Sequence, residues 1–361
     1  MAKHAQPFMP RFPIMRLSPA PSPALSVPAP IGLPDAPLPT ALFPLLRLLD
    51  DGRVHSGEAL ARALGVSRAS IHNLMQAAEA AGLAFHALPG KGYRLTEAYD
   101  WLDTEALGRA LAAAGADFHL EVHDQLASTN SHLMAQALAG APHRTVCYCS
   151  HQYAGRGRRG RAWLSGLGGG ITFSVLWRLE GGIGQASALS LAVGLAVARA
   201  LEHERPLQLK WPNDILAGFR KLAGILVEIQ GDALGPAWAV IGIGINQRMA
   251  DSVREHIDQA VVSLSEIDAA LTRTEILARV LLQLDRTLAQ FEITGFASLA
   301  EDWNARHAYH GRRVALHLPD GSRVEGDVAG VDAQGALRLR LAGGGESRFH
   351  AGELRMRPLH G

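Results

Sequence analysis

The stretch GRGRRGRAWLSGLGGGITFSVLWRL, residues 155–179, decides the fold of this chain. It satisfies the pattern G-x-G-x-x-G, and Glu180 follows Gly160 by twenty residues, as in a dinucleotide-binding unit. That fingerprint needs a helix directly after its glycines, whereas these glycines lead through a second glycine run into a strand-like segment. Four arginines among six residues also suit backbone binding of pyrophosphate poorly. We therefore reject a Rossmann domain and expect a loop that enters a buried strand.

The composition of this loop, glycine and arginine in alternation, has its own consequence. Glycine lets the backbone approach a ligand closely, and guanidinium groups bind phosphate oxygens in pairs. Such a loop suits a site that closes over a ligand whose negative charge grows during a reaction. A solvated loop that contacts nucleic acid would have the same composition. The loop alone leaves these two interpretations equal.

Two short polar motifs lie on either side of the loop. KWPND, residues 210–214, ends a strand-like run, and its proline cannot continue a central strand, so we expect Lys210 at a sheet edge where active sites often lie. STN, residues 128–130, stands between a strand-like run and a helix, where it caps the helix or offers free amides to a ligand. For KWPND a surface turn remains an open alternative, and for STN a simple helix cap does.

The N-terminal part of the chain predicts an extension followed by a winged helix-turn-helix. Residues 1–40 are rich in Pro, Ala and Ser and predict a disordered extension. Within residues 41–100, an apolar helix over 42–49 precedes two helices that Ser56 and Ser67 cap. The last helix buries a stripe at helical spacing and ends at Gly82, and FHALPGKGYRL predicts a hairpin wing. The buried stripe consists of Ile71, Leu74, Met75 and Ala78.

The rest of the chain predicts an α+β architecture with two further domains. Residues 101–308 alternate short strand-like runs with helices near 130–138, 186–201 and 274–291, which is typical of a mixed α/β layer domain. Residues 309–361 contain short strands at close spacing with Asp-Gly and Gln-Gly turns, which predict a small β-barrel.

Composition excludes some classes of function. The net charge of +1 gives no global attraction to nucleic acid, and no apolar run reaches the length that a bilayer requires. Prolines interrupt every apolar segment near the N-terminus, so we expect no signal peptide, no membrane association and a cytoplasmic protein. Cys147 and Cys149 alternate along a strand-like run near His151, but further ligands at a recognised spacing are missing, so we expect core packing, no disulfide and no metal site.

Five motifs in this order carry a family resemblance: STN at 128–130, GRGRRGR at 155–161, KWPND at 210–214, RKLAGILVE at 220–228 and VIGIGIN at 240–246. Together they resemble the biotin–protein ligase family, and with the helix-turn-helix they resemble its bifunctional members, which are also biotin operon repressors. The resemblance runs from about residue 42 to the C-terminus. The pattern departs at Gly170, where relatives often have Asn, and at Tyr153, where Gln is common.

The resemblance implies a winged helix-turn-helix, a class II synthetase-like ligase domain and a C-terminal SH3-like β-barrel. It implies ATP-dependent formation of biotinyl-5'-AMP with Mg²⁺, and transfer of biotin to a lysine of the biotin carboxyl carrier protein of acetyl-CoA carboxylase. It also implies biotin-responsive repression through the operator DNA of biotin-synthesis genes, by a ligand-induced homodimer.

The resemblance also assigns residues to each task. Lys210 and Arg158 would be catalytic. The biotin and adenylate site would comprise Ser128, Thr129, Asn130 and Gln152 at biotin, Gly224, Gly242 and Gly244 in the pocket wall, Arg156, Gly157 and Arg158 in the closing loop, Trp163 beside adenine, and Lys210 and Lys221 at the carboxylate and phosphates. DNA binding would use the helix-turn-helix from Gly57 to Gln76, including Ser67, Arg68, Ser70, His72 and Asn73.

Two alternatives stand beside this interpretation. One is a ligase whose helix-turn-helix is vestigial, since residues 42–95 carry six basic against four acidic groups and the presumed recognition helix presents a single arginine. The other is a ligand-sensing transcription factor without ligase activity, for which the pair of Arg158 and Lys210 would be unnecessary. A lipoate ligase is disfavoured because those enzymes lack this N-terminal domain.

Overall fold

The structure, a computed structural model, describes residues 36–180, 188–202, 206–231, 236–318 and 322–350, and the backbone of 355–358. Most of the predicted extension, residues 1–35, lies outside the described residues. In the described residues no helix is both long enough and apolar enough to cross a bilayer.

The N-terminal module is a winged helix-turn-helix, as predicted. It comprises α1 (Leu42–Leu49), α2 (Gly57–Leu64), α3 (Arg68–Ala80) and a hairpin of β1 (Phe85–Leu88) and β2 (Gly92–Leu95). The Ser56 and Ser67 hydroxyls accept hydrogen bonds from the backbone N–H groups of Ala59 and Ser70, so both predicted caps are confirmed. Gly82, with φ of 91°, turns the chain after α3.

The core of this module begins earlier than the sequence indicated. The stripe of Ile71, Leu74, Met75 and Ala78 is buried against α1, as predicted. Leu38 is only 4% exposed and packs into the same core, and its N–H donates to Gln125 Oε1 at 2.8 Å. The module therefore includes a residue that the sequence analysis assigned to the extension.

A seven-stranded mixed sheet forms the centre of the molecule. Its strands are β3 (His119–Leu126), β4 (Thr145–Gln152), β5 (Gly170–Leu179), β6 (Gln208–Lys210), β7 (Asp214–Ala217), β8 (Arg220–Gly231) and β9 (Ala237–Asn246). The order across the sheet is β3-β4-β5-β9-β8-β7-β6, with β3 and β4 parallel and the other pairs antiparallel.

Helices cover both faces of this sheet. They are α4 (Thr104–Ala113), α5 (Thr129–Leu138), α6 (Leu189–Leu201), α8 (Arg273–Thr294) and α9 (Ala300–Ala305). The single turn α7 (Asp251–Arg254) follows β9. The core residues of α6 and α8 pack against Tyr148 and Val175 on one face, while Leu133 of α5 packs against Cys147 and Leu176 on the other. Successive side chains of β4 and β5 point to opposite faces of the sheet, so neighbouring residues of these strands belong to different cores.

The helix bounds correct the sequence predictions in two places, and a third predicted bound falls outside the described residues. The helix predicted from residue 130 begins at Thr129, because Ser128 is its N-cap. The helix predicted over 274–291 runs three residues longer, to Thr294, and begins at Arg273 behind the capping box of Thr272. The predicted start at 186 lies outside the described residues, and α6 begins at Leu189.

The C-terminal module is a five-stranded antiparallel sheet, in accord with the predicted small β domain. Its strands are β10 (Arg313–His317), β11 (Arg323–Val331), β12 (Leu337–Arg340), β13 (Glu346–Phe349) and β14 (Arg355–Pro358), in the order β13-β12-β11-β10-β14. Trp211 Nε1 donates to the carbonyl of Gly335 at 3.1 Å, so this module is bonded to the residue that follows β6.

The winged helix-turn-helix is bonded to the central domain at several points. Asp100 accepts hydrogen bonds from Gln247 Nε2 at 2.6 Å and from the N–H of Arg273 at 2.9 Å. Arg47 of α1 forms an ion pair with Asp124 of β3 at 2.5 Å. Arg47, one of the six basic residues counted for DNA binding, therefore faces the central domain.

Candidate active site

A cavity of about 640 Å³ lies at the end of the sheet where β7, β8 and β9 meet the glycine–arginine loop. Every residue that the sequence analysis assigned to the biotin and adenylate site lines this cavity. These residues are Ser128, Thr129, Asn130, Gln152, Arg156, Gly157, Arg158, Trp163, Lys210, Lys221, Gly224, Gly242 and Gly244. Residues as far apart in sequence as 128 and 244 therefore share one site.

The first turn of α5 forms a buried polar floor at one end of the cavity. The N–H of Thr129 donates to Gln152 Oε1 at 2.7 Å, and the Thr129 hydroxyl reaches the same oxygen at 3.1 Å. Ser174 Oγ, fully buried, lies 2.7 Å from Thr129 Oγ1 and 2.6 Å from Asn130 Oδ1. This floor presents uncharged donors and acceptors whose positions are fixed by one another.

Glu228 connects the floor to the glycine–arginine loop. Its carboxylate accepts from Asn130 Nδ2 at 2.8 Å and from Arg156 Nη2 at 3.0 Å. Because the Arg156 side chain is largely exposed, this ion pair is weak in free energy, but it fixes where the loop meets the floor.

Glycines in the central strands make room for two side chains. A Cβ atom at Gly242 would overlap Asn130 Oδ1, and a Cβ atom at Gly244 would overlap the indole of Trp163. Gly224 pairs with Gly244 across β8 and β9, and a Cβ atom at Gly224 would lie 3.1 Å from the Trp163 ring. The indole of Trp163 therefore packs directly against the backbone of β8 and β9 in the wall of the cavity.

The far end of the cavity is cationic. Lys221 Nζ lies 2.8 Å and Lys210 Nζ 3.9 Å from the Asp214 carboxylate. Arg158 Nη1 donates to Asn213 Oδ1 at 3.4 Å, and burial together with the neighbouring Arg159 lowers the pKa of Arg158. Lys210, Lys221 and Arg158 thus lie near the Asp214 carboxylate, where they can attract an anion.

Lys210 is the last residue of β6, the terminal strand of the sheet, as the sequence predicted. The outer side of β6 is covered, since the N–H of Leu209 donates to the carbonyl of Arg306 at 2.7 Å and the N–H of Ala308 to that of Leu209 at 2.8 Å. This cover holds the strand end that carries Lys210 in place.

The glycine–arginine loop has no helix after its glycines. It contains one 3₁₀ turn, Arg158–Gly160, and returns through a hydrogen bond from the N–H of Trp163 to the carbonyl of Gly155 at 2.9 Å. The chain then enters β5 at Gly170. The rejection of a Rossmann domain is therefore confirmed.

Comparison with known proteins identifies the family. The Biotin/lipoate A/B protein ligase family matches residues 123–246, an HTH domain matches 42–94, and the Biotin protein ligase C terminal domain matches 309–356. The chain is 35% identical over 322 residues to the bifunctional ligase/repressor BirA of Salmonella typhimurium, covering 87% of this chain and 99% of that protein. This chain belongs to the bifunctional biotin ligase/repressor family.

Two further comparisons agree with the ligase part of this assignment. The biotin–[acetyl-CoA-carboxylase] ligase of Mycobacterium tuberculosis is 38% identical over 254 residues, covering 67% of this chain and 91% of that protein. A solved structure of the biotin protein ligase from Aquifex aeolicus in complex with biotin and ATP superposes with a TM-score of 0.57 at 28% identity, covering 67% of this chain and 99% of that one.

A local contact explains why glycine fits at position 170, where the sequence analysis expected a departure from the family pattern. A Cβ atom there would lie 2.7 Å from Cβ of Ser165, so Ser165 would have to move to admit a larger residue. The Gly170 carbonyl accepts from Arg273 Nη1 at 3.0 Å, and this bond holds the start of β5.

Sequence reasoning missed several residues that this biotin ligase/repressor places in or beside the cavity. Asp214 and Glu228 lie inside the quoted motifs, but Asp214 pairs with lysines of two neighbouring strands and Glu228 pairs with Arg156 of the loop, so these ion pairs could not be inferred from spacing. Residues 256–261 line the cavity and carry no motif. Arg254 Nη1 holds this segment by donating to the carbonyl of Val261 at 3.1 Å.

The helix-turn-helix of this biotin ligase/repressor presents the predicted DNA-binding side chains on α3. Arg68, His72, Asn73 and Gln76 are exposed, Ser67 caps the helix, and Ser70 is half-buried beside Ser67. The Tyr93 hydroxyl of the wing lies 3.5 Å from His72 Nδ1.

Proposed function

We propose that this protein forms biotinyl-5'-AMP from biotin and ATP and transfers biotin to a lysine of the biotin carboxyl carrier protein of acetyl-CoA carboxylase. The observation that carries the proposal is the change in side-chain charge along the cavity. It runs from the uncharged floor at Asn130, past Trp163, to the cations around Asp214. Biotin has an uncharged ureido ring at one end and a carboxylate at the other, so its polarity matches this gradient.

In the first half-reaction, a biotin carboxylate oxygen attacks the α-phosphorus of ATP and pyrophosphate leaves. The floor would hold the ureido group, and the indole of Trp163 would lie beside the adenine. Lys210, Lys221 and Arg158 would bring two anions together and stabilise the charge that grows on phosphorus. Lys210, at the fixed end of β6, is the residue we assign to that charge.

Mg²⁺ binds nucleotide phosphates together with one or two carboxylates and several waters. Asp214, a partly buried carboxylate among cavity cations, has the chemistry to share such an ion with ATP, so the donor set fits. Bound Mg²⁺ would supply additional neutralisation of phosphate charge.

In the second half-reaction, the lysine amine of the carrier protein attacks the acyl carbon and AMP leaves. The mixed anhydride would hydrolyse if water reached it, so the intermediate needs cover. The glycine–arginine loop, tied to Glu228 through Arg156 and to Asn213 through Arg158, is positioned to supply it.

Single-turnover assays test this proposal. Protein with biotin, ATP and Mg²⁺ is expected to release one pyrophosphate per biotinyl-5'-AMP formed, detected by mass spectrometry. Formation of lipoyl- or octanoyl-adenylate with no biotinyl-adenylate would contradict it.

The exposed face of α3 supports a second function, repression through the operator DNA of biotin-synthesis genes. One arginine on a recognition helix makes few phosphate contacts, so useful affinity requires two copies that read two half-sites. We therefore propose a homodimer that biotinyl-5'-AMP promotes, since a ligand with greater affinity for the dimer-competent state shifts the equilibrium toward it. A protein that meets both a carboxylase and an operator would act in the cytoplasm.

Sedimentation velocity and gel-shift measurements, with and without biotinyl-5'-AMP, test the dimer and the repressor. Dimers and operator complexes that appear together on addition of the adenylate are the expected result. Ligation without operator binding would indicate a vestigial helix-turn-helix, and operator binding without ligation would indicate a ligand sensor.

A further inference from the structure

A group of four side chains outside the cavity combines the ligands that transition metals prefer. Glu121 and His123 lie on β3, His132 lies on α5, and Cys147 lies on β4. Each offers one ligand atom, and these four atoms all lie within 4.8 Å of one another. The group belongs to the face of the sheet that α5 covers, behind the polar floor.

The fold brings these four residues together in a defined way. Glu121 pairs with Cys147 in the parallel register of β3 and β4, so their side chains are neighbours on one face. His123, two residues after Glu121, lies on the same face. His132 reaches this face from α5, with its Nε2 atom 2.9 Å from Glu121 Oε2.

One buried ring nitrogen of the group has no hydrogen-bond partner in the described structure. The pair of Glu121 and His132 could be an ordinary ion pair. His123 Nε2, however, is buried, makes no hydrogen bond in the described structure, and lies 3.8 Å from Glu121 Oε2. Burying a ring nitrogen without a partner is unfavourable, and a metal ion would provide that partner.

From this geometry we infer that Glu121, His123, His132 and Cys147 form a binding site for a single transition-metal ion, with Zn²⁺ as the expected occupant. A thiolate, two imidazoles and a carboxylate are a four-ligand set that Zn²⁺ accepts in tetrahedral geometry. Ligands about 2.0–2.3 Å from such an ion stand roughly 3.3–3.8 Å apart, so the group needs an adjustment of about 1 Å to close.

Burial divides the site into an entrance and a base. The side chains of Glu121, His123 and His132 are 34%, 33% and 24% exposed, whereas Cys147 is fully buried. An ion would therefore enter between the two histidines and the carboxylate and meet the sulfur last. An ion that binds the Cys147 sulfur replaces the thiol proton, because the thiolate is the form that ligates a metal.

The test is a titration of the full-length, chelator-treated protein with Co²⁺, followed by Zn²⁺. The expected result is one Co²⁺ per chain with thiolate-to-cobalt charge-transfer absorption, displaced by one equivalent of Zn²⁺. Absence of this absorption would overturn the inference. Co²⁺ bound at Asp214 in the cavity would lack the thiolate band, so the two sites are distinguishable.

Matched variants locate the site. Cys147→Ser should abolish the charge-transfer band and weaken Co²⁺ binding by at least about 100-fold, more than the loss of an outer-shell partner causes. Cys149→Ser, two residues further along the same strand and outside the group, should retain both. Equal binding and equal spectra in these two variants would overturn the inference.

A second pair of variants tests the site without changing the buried residue Cys147. His123→Gln should weaken Co²⁺ binding by a similar factor, while His119→Gln, on the same face of β3 but outside the group, should not. Because His123 is partly exposed, this variant is expected to fold even if Cys147→Ser does not. Unchanged affinity in His123→Gln would contradict the assigned ligand set.

Discussion

Replacing Lys210 by methionine removes one ammonium from the cationic end of the cavity and keeps most of the side-chain volume. The Lys210 and Asp214 side chains are 23% and 14% exposed, so interactions at this end are only partly screened by water. Two unit charges about 4 Å apart interact by about 4 kcal/mol at an effective dielectric constant of about 20. Only part of a charge develops on phosphorus, and Lys221 and Arg158 remain, so we expect a loss of roughly 2–3 kcal/mol.

That loss corresponds to an adenylation rate lower by on the order of 10²-fold. Biotin affinity should fall by less than about tenfold, because the polar floor that holds the ureido group is unchanged. Rapid-quench measurement of biotinyl-5'-AMP formation gives the rate, and calorimetry gives the biotin Kd. Lys91→Met, in the wing, controls for loss of a lysine elsewhere. Equal factors in rate and in Kd would refute the assignment of Lys210 to the growing charge.

Three further predictions concern the loop, the recognition helix and a buried histidine. Arg158→Gly should release the adenylate and cause promiscuous biotinylation of bystander lysines, detected by streptavidin blotting. Arg159→Gly, at the exposed neighbouring position, should not. If Arg158→Gly retains the adenylate as well as wild type does, the loop does not act as its cover. Arg68→Ala should abolish operator binding in a gel shift and leave ligation intact. The control Arg62→Ala, which breaks an exposed ion pair with Glu58, should affect neither. Unimpaired operator binding by Arg68→Ala would exclude α3 as the recognition helix. Burial lowers the pKa of His151 from 6.5 to about 4, so the unfolded chain binds the proton more readily than the folded protein. As pH falls from 6.5 to 4, wild type should therefore lose on the order of 3 kcal/mol of unfolding free energy relative to His151→Leu. An unchanged difference between the urea-denaturation curves of the two proteins across this range would contradict that burial effect.

Local signals in the sequence predicted the helix-turn-helix closely. Ser56 and Ser67 cap their helices within three residues, and the stripe from Ile71 to Ala78 depends only on helical periodicity. The start of α5 was misplaced by one residue, because three small polar residues in a row do not show which of them is the N-cap. Leu38 was missed since its packing partners lie in α1 and in the central sheet.

Long-range pairing accounts for what the sequence could not show. The position of β9 between β5 and β8 depends on contacts between strands far apart in the chain, and it is this order that brings Gly242 and Gly244 opposite Asn130 and Trp163. The motif residues of the cavity were predictable only through the family resemblance.

The four-residue metal group shows the same limit. Sequence spacing associates Cys147 with Cys149 and His151, which offers no complete ligand set. The fold instead places Cys147 beside Glu121, through the parallel register of β3 and β4, and beside His132, through the packing of α5. Neither relation has a signature in the sequence.

The most direct test of the central claim is transfer of labelled biotin to a purified carrier-protein domain. With ATP and Mg²⁺ we predict that one lysine of the carrier domain is modified, that pyrophosphate and AMP are released in equal amounts, and that Lys210→Met slows the reaction by on the order of 10²-fold. Transfer of lipoate or octanoate in place of biotin, or no ATP-dependent transfer by the folded protein, would contradict the account.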